Sequence, residues 1–392
     1  MLVTLYESFW KDEYWLPSGY TWADLEDSDD IKYPHPKDLL AVIPTTFVLL
    51  VIRYISERFI GLPLSRVMGI RDPIRTKATP NPILESFFQT HSKRPTKDEL
   101  SQLASQCSLS TRQTERWFRL RRNQERPLLS KKFSETCWRF LFYCCSFSGG
   151  FFVFCKKNWI SQPISLLIGY PKQPLEPALY WWYVMELGFY FSLLLTLSFD
   201  VKRKDFKEQV IHHFAAISLM SVSYSANLVV SGAMVLLLHD VTDILLEAGK
   251  MLNYAKRTVA QEVVFVIFAL LFIITRLFYF PVRVIYFVFS FFETNGMQNL
   301  AYYFCQTLLL VVLGLNVFWT SLILKMVFNL FSDGRVKKDV RSDIDESDMS
   351  DDEQLTTRQQ SDRGLQSNGV TNIRSRKVQG TGQLATEAVP VS

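Results

Sequence analysis

The 392-residue chain lacks the marks of a disulfide-stapled or zinc-organised protein. Its six Cys, at 107, 137, 144, 145, 155 and 305, include no CxxC pair, and most fall in or beside apolar runs. That placement excludes a disulfide framework and a zinc ribbon, and the thiols read as small apolar packing groups. No HExxH occurs, and no metal is expected. There is no N-x-S/T sequon. The opening MLVTLYESFWKDEYWLP has no basic start followed by an apolar core, so a cleavable signal peptide is not expected. Trp10, Trp15 and Trp22 among charges suit an interfacial segment instead, so the first spanning helix is expected to do the targeting. The far end carries no lysine-based or KDEL-type address.

What the chain has is phenylalanine, 31 residues concentrated in runs such as FLFYCCSFSGGFFVF and VVFVIFALLFIITRLFYF. A run of about 20 apolar residues matches the hydrocarbon thickness of a bilayer. Seven spans are predicted, at Leu39–Ile55, Phe140–Cys155, Ala178–Phe199, Val210–Leu228, Gly232–Glu247, Val263–Ser290 and Leu300–Met326. The second and fifth are short. The sixth is too long for one straight span, and Pro281 is expected to kink or end it.

Net charge is a modest +5, but its distribution is uneven. Residues 53–132 hold 17 Lys and Arg against 7 Asp and Glu, whereas the first 38 residues are acidic. Basic loops prefer the cytosol. The stretch after span one, DVKRKDFKE after span three, and Lys250, Lys256 and Arg257 after span five all fit one side; KKNW at 156–159 is the discordant patch. An odd span count then puts the N-terminus in the lumen and the C-terminus in the cytosol. The predicted fold is an all-α polytopic membrane bundle of about seven helices with a small three-helix cytosolic module. Its parts are a lumenal segment (1–38), the first span (39–56), the module (66–128), the membrane domain (131–332) and an acidic, Ser-rich, disordered tail (333–392).

The module carries QTERWFRLRRNQ at 113–124 and resembles a homeodomain in its WF-x-x-RR and three-helix layout. Ile83, Leu84 and Phe87 fit the inner face of one helix, and Leu100, Leu103 and Ala104 that of a second. A third starts near Ser110 or Thr111, with Trp117 and Phe118 as anchors. A homeodomain reads adenine with an Asn two residues after that Phe. Here the position is Leu120, which cannot make the bidentate contact. Arg116, Arg119, Arg121 and Arg122 could touch phosphates, giving affinity without specificity. Sequence-specific DNA binding is therefore not expected; a structural or regulatory role, or a meeting with anionic lipid or a polyanion, fits better.

Ionisable groups at membrane depth are costly and usually mark function. Span four opens with His212 and His213; span five carries His239, Asp240, Asp243 and Glu247. Spacings of three and four place the latter on one helix face. The spans are antiparallel neighbours, so the His pair and the Asp pair meet at similar depth on the cytosolic side. An imidazole there could act as general base or as nucleophile, with an Asp fixing its tautomer. A structural polar network, a metal site and a proton-coupled transporter use the same residue types. Glu186 in span three is expected to pair with Arg276 in span six, or the two support the cluster; Arg276 and Arg283 could instead meet a phosphate or carboxylate.

Residues 199–256, FDVKRKDFKEQVIHHFAAISLMSVSYSANLVVSGAMVLLLHDVTDILLEAGKMLNYAK, resemble the Lag1p motif of ceramide synthases, within a TLC-type membrane domain. The partial homeodomain is also typical of that family. The resemblance implies an acyltransferase of the endoplasmic reticulum membrane that moves a fatty acyl group, about C18 to C22, from acyl-CoA to the amine of sphinganine or sphingosine. Acyl-CoA would be a co-substrate, with no cofactor. The essential positions would be His212, His213, Asp240 and Asp243, with His239, Glu186 and Arg276 as possible support. Chain length would be set by the loop Glu293, Thr294, Asn295, Gly296, Met297, Gln298, Asn299, Leu300, Ala301, Tyr302 and Tyr303. DVRSDID at Asp339–Asp345 resembles a tail motif linked to homo- or hetero-dimers, with Asp for the final Glu. Ser342, Ser347 and Ser350 lie in acidic surroundings that suit phosphorylation. The alternatives are a polytopic lipid carrier or sensor without chemistry, and a membrane-tethered DNA-binding regulator.

Overall fold

The computed structural model describes residues 2–157, 159, 166–201 and 205–333. The tail serines, the DVRSDID motif and residues 202–204 of the basic loop lie outside them. Among the described residues the regular elements are helices, of which the main ones are α1 (Val42–Ser56), α2 (Pro82–Thr90), α3 (Lys97–Gln106), α4 (Thr111–Glu125), α5 (Leu129–Lys156), α6 (Pro177–Thr196), α7 (Phe206–Ser225), α8 (Val229–Tyr254), α9 (Thr258–Phe272), α10 (Tyr286–Asn295) and α11 (Leu300–Asp333). The chain forms two units. Of the described residues, one contains 78–123 and the other contains 2–77 and those from 124 to 333.

The small unit is held by caps its sequence supplies. Asn81 accepts from the backbone N–H groups of Ile83 and Leu84, with Pro82 in the first turn. Thr96 and Glu99 form a capping box on α3, and Ser110 and Gln113 make the equivalent exchange on α4. The core is Leu84, Phe88, Leu103, Trp117 and Phe118. Phe88 is buried, while Ile83, expected inside, is exposed. A three-residue step from 84 would reach Phe87, but helix geometry brings the i+4 residue more squarely behind Leu84. Trp117 donates its indole N–H to the Thr79 carbonyl at 2.6 Å.

Among the described residues, six helices are long and apolar enough to cross a membrane. The predicted fourth span is α7, 20 residues long, which is not among them. Lys207, Glu208, Gln209 and the His pair lower its hydropathy, and its partners rather than lipid cover much of it. The second and fifth spans are longer than expected, at 28 and 26 residues. Pro281 does not end the sixth. The chain passes it inside a π-helical stretch, Ile273–Ile285, and continues into α10. The wider register absorbs the missing N–H.

Lipid-facing surface is visible as apolar residues exposed at helical spacing. Val263, Ile267, Leu270, Ile274, Phe278 and Val282 form one such stripe. Association within a bilayer relies on close packing rather than on apolarity. Gly150 shows why small residues recur: a Cβ there would meet the Trp182 ring at 2.7 Å. The Phe142 and Phe189 rings stack at 3.5 Å between α5 and α6.

The bundle's two ends differ. At one, Trp15, Leu16 and Leu25 pack with Leu167, Tyr170, Phe292 and Tyr302. Here Asp24 pairs with Lys172 at 2.9 Å, and that ammonium holds the Asp24 carboxyl down at about 2. At the other, Arg53 bonds Asp200, Glu57 and Thr196, and Arg139 and Lys250 converge on Glu247.

Candidate active site

The site is built where α5, α6, α7, α8 and the π stretch meet. The turn between α7 and α8 is only three residues long, so the helices run back against each other. Asn227 in that turn adopts a left-handed φ of 53°, which its short polar side chain tolerates. Its amide donates to the carbonyls of Pro171 and Gln173, pinning the hairpin.

Helix α7 presents His212 and His213, their ring centres 5.8 Å apart. His213 is buried and His212 half-buried. Tyr190 of α6 stands over both, at 6.3 Å and 5.8 Å. The edge of Trp319 closes on His212 at 5.5 Å, and its indole N–H bonds Asp205 at 3.1 Å. Among the described residues, neither His212 Nδ1 nor His213 Nδ1 has a hydrogen-bond partner.

Helix α8 supplies the acidic side. Asp240 is fully buried and accepts from the Ser146 hydroxyl at 3.0 Å. Ser146 also bonds Glu186 and receives the Trp182 N–H at 3.0 Å. Asp243 is held by Arg276, which donates to its carboxylate at 2.8 Å, to Thr242 Oγ1 at 2.6 Å and to the His239 carbonyl at 2.9 Å. His239 meets the Val235 carbonyl through Nδ1 at 2.7 Å. A carbonyl only accepts, so Nδ1 carries the proton and Nε2 keeps its lone pair. Among the described residues that Nε2 has no partner.

Two expectations are corrected. Glu186 does not pair with Arg276. Asp240 and Asp243 point to different neighbours, so the acid of α6 meets Asp240 through Ser146 while the guanidinium of the π stretch takes Asp243. Nor, among the described residues, does an Asp meet either histidine at Nδ1; the contacts Asp240 and Asp243 do make are with Ser146 and Arg276. All seven predicted polar residues nevertheless lie on the helices that meet here.

The expected selectivity loop is also shorter than its eleven residues. Helix α10 runs to Asn295 and α11 begins at Leu300, leaving a turn at 296–299 with Gly296 at φ 62°. Tyr302 is buried and stacks on Phe292 at 4.6 Å, whereas Tyr303 faces out. Tyr302 lines an apolar cavity with Leu219, Ser231, Val235, Val288 and Leu309. Val235 lies one turn before His239 on α8, so the cavity lining comes within one helical turn of the polar cluster.

Residues 132–325 match the TLC domain model, and residues 75–127 match the homeodomain model. The chain is 52% identical to human ceramide synthase 4, over 90% of its own length and 89% of that protein's. Mouse ceramide synthase 4 is 50% identical over 93% of each chain, and human ceramide synthase 3 is 43% identical over 88% and 89%.

The chain belongs to the ceramide synthase family.

Sequence reasoning missed four groups of this ceramide synthase's site: Ser146, Trp182, Tyr190 and Thr242. Trp182, Glu186 and Tyr190 recur every four residues on α6, a signal that places three polar-tipped side chains on one buried face. Ser146 carried no such signal, because nothing local distinguishes it from Ser148 in the same run. In the homeodomain-like unit, Arg121 is already engaged. It grips Glu85 at 2.8 and 2.9 Å, and that contact pulls the Glu85 carboxyl down to about 2.

Proposed function

We propose that the meeting point of α5–α8 and the π stretch is the acyl-transfer centre of this enzyme, an acyl-CoA-dependent N-acyltransferase of sphingoid bases. The observation that carries the reading is the set of unpartnered imidazole nitrogens and fixed carboxylates on α7 and α8, helices that also line an apolar cavity. Chemistry on a long-chain thioester needs those three things together.

His212 is the reactive imidazole. It attacks the thioester carbon; the C–S bond breaks, and CoA leaves as a thiolate that takes up a proton. The sphingoid amine then attacks the acyl-imidazolium. The N–C amide bond forms, the bond to imidazole breaks, and the proton lost by nitrogen balances the one gained by sulfur. Asp240 and Asp243 offset the positive charge that develops on the ring, and His213 and Tyr190 fix the ring's position. The acyl chain lies in the cavity, with Tyr302, backed by Phe292, as its far wall, and the preferred chain is about C18 to C22, as the family resemblance implies.

The charge-rich end faces the cytosol, where acyl-CoA is dissolved, and the tryptophan-rich end faces the lumen. That orientation puts the N-terminus in the lumen of the endoplasmic reticulum and the C-terminus in the cytosol. The enzyme works as a dimer with itself or a relative, needs no cofactor, and is phosphorylated on tail serines. The homeodomain-like unit does not read DNA sequence, since Leu120 replaces the adenine-reading Asn.

Purified enzyme given acyl-CoA without sphingoid base tests the chemistry. Mass spectrometry should find one acyl group on His212, discharged when sphinganine is added. Enzyme that turns over but never carries an acyl group contradicts the nucleophilic route.

A further inference from the structure

Ser146, Glu186 and Asp240 are all buried. The Ser146 oxygen contacts one oxygen of each carboxyl and also receives the Trp182 N–H. A serine hydroxyl has one hydrogen and two lone pairs. It donates to one carboxyl and accepts from Trp182, so its contact with the other carboxyl is satisfied only if that carboxyl carries a proton.

The two carboxyls also lie within hydrogen-bonding reach of each other. Among the described residues, Glu186 Oε2 and Asp240 Oδ1 have no donor. The cations nearby are committed elsewhere: Arg276 to Asp243, and Arg139 and Lys250 to Glu247. Two unneutralised carboxylates packed together cannot both ionise. The remaining titratable groups around the pair are Tyr143 on α5, Tyr190 on α6, Asp243 on α8, and His212 and His213 on α7 beyond Tyr190. None is placed to donate to the two open oxygens.

We infer that Glu186 and Asp240 share a single proton through Ser146, forming a buried carboxyl pair of charge minus one, and that Glu186 is the positioning residue that sets the charge of Asp240. The functional consequence rests on the acyl-transfer reading: one negative charge stands ready to offset the one positive charge of an acyl-imidazolium. A pair of two charges would trap the cation, and a neutral pair would not stabilise it.

Infrared difference spectroscopy of the full-length enzyme in nanodiscs tests the shared proton without relying on activity. At neutral pH the wild type should show a protonated-carboxyl C=O band, shifted on exchange into deuterated water. The band should disappear in Glu186→Gln and equally in Asp240→Asn, because either substitution supplies an amide donor and leaves the remaining carboxyl ionised. Retention of the band in Asp240→Asn would show that Glu186 is simply neutral, and its absence from the wild type would show two carboxylates. Either result overturns the inference. Glu186→Asp, which restores an acid, should recover the band and guards against loss through misfolding. The pH profile of kcat is the separate functional readout. The wild type loses its shared proton as pH rises, so its alkaline limb should move up by at least one pH unit in Glu186→Gln, which has no such proton. A vanished band with an unmoved limb upholds the shared proton and refutes its part in acyl transfer.

Discussion

Arg276→Gln should be among the more damaging single changes in the bundle. The guanidinium is 4% exposed and the Asp243 side chain 20% exposed. It makes four hydrogen bonds, to the Asp243 carboxylate, twice to Thr242 Oγ1, and to the His239 carbonyl. Removing one partner of a buried ion pair costs about 3–5 kcal/mol, because the other charge is left uncompensated. Partial exposure of Asp243 and the bond a Gln amide can recover place this case at the lower end, near 3 kcal/mol. The double variant with Asp243→Asn has no orphan charge and should recover part of the loss. Neutral hydrogen bonds between membrane helices average about 0.6 kcal/mol, so a coupling of roughly 1.5 kcal/mol or more marks a charged pair. The assay is equilibrium unfolding in mixed micelles of the four proteins of the cycle. Additivity within about 0.5 kcal/mol would refute the pairing.

Gly150→Ala should destabilise by about 1–3 kcal/mol, because its Cβ would overlap the Trp182 ring that supports Ser146; an unfolding midpoint equal to wild type would contradict the packing. Tyr302→Ala removes the far wall of the cavity and should shift acyl-CoA preference toward longer chains, whereas an equal loss at every length would deny it that role. In a fragment spanning residues 75–127, the contribution of Glu85 should be flat at neutral pH. Its folded pKa lies at about 2, below the ordinary 4.5, so this stabilisation is present above about 4.5 and is lost as pH falls toward 2. Melting temperatures of wild type minus Glu85→Gln should converge over that window; a constant difference would mean that the Arg121 contact does not form.

The helical membrane architecture was readable because apolar run length has one physical cause, bilayer thickness, and because WF-x-x-RR and the His and Asp clusters are locally dense. Span boundaries were less readable. Helix α7 opens with Lys207, Glu208 and Gln209 and carries the His pair, so hydropathy understates it, and α10 and α11 extend into a segment whose Asn, Gly and Gln suggested a loop. Pairing was least readable. Glu186 and Arg276 are the obvious opposite charges at membrane depth, but Asp243 takes the guanidinium, and Ser146 joins Glu186 to Asp240. Side-chain partners depend on helix rotation, which periodicity alone does not fix.

Acyl transfer assayed in membranes decides whether the buried cluster is catalytic. Wild type, His212→Ala and Asp240→Asn, at matched expression, would receive sphinganine and acyl-CoAs of graded length. The account predicts a wild-type optimum near C18 to C22 and loss of product in both variants. Full activity in both would show that the buried cluster only holds the helices together.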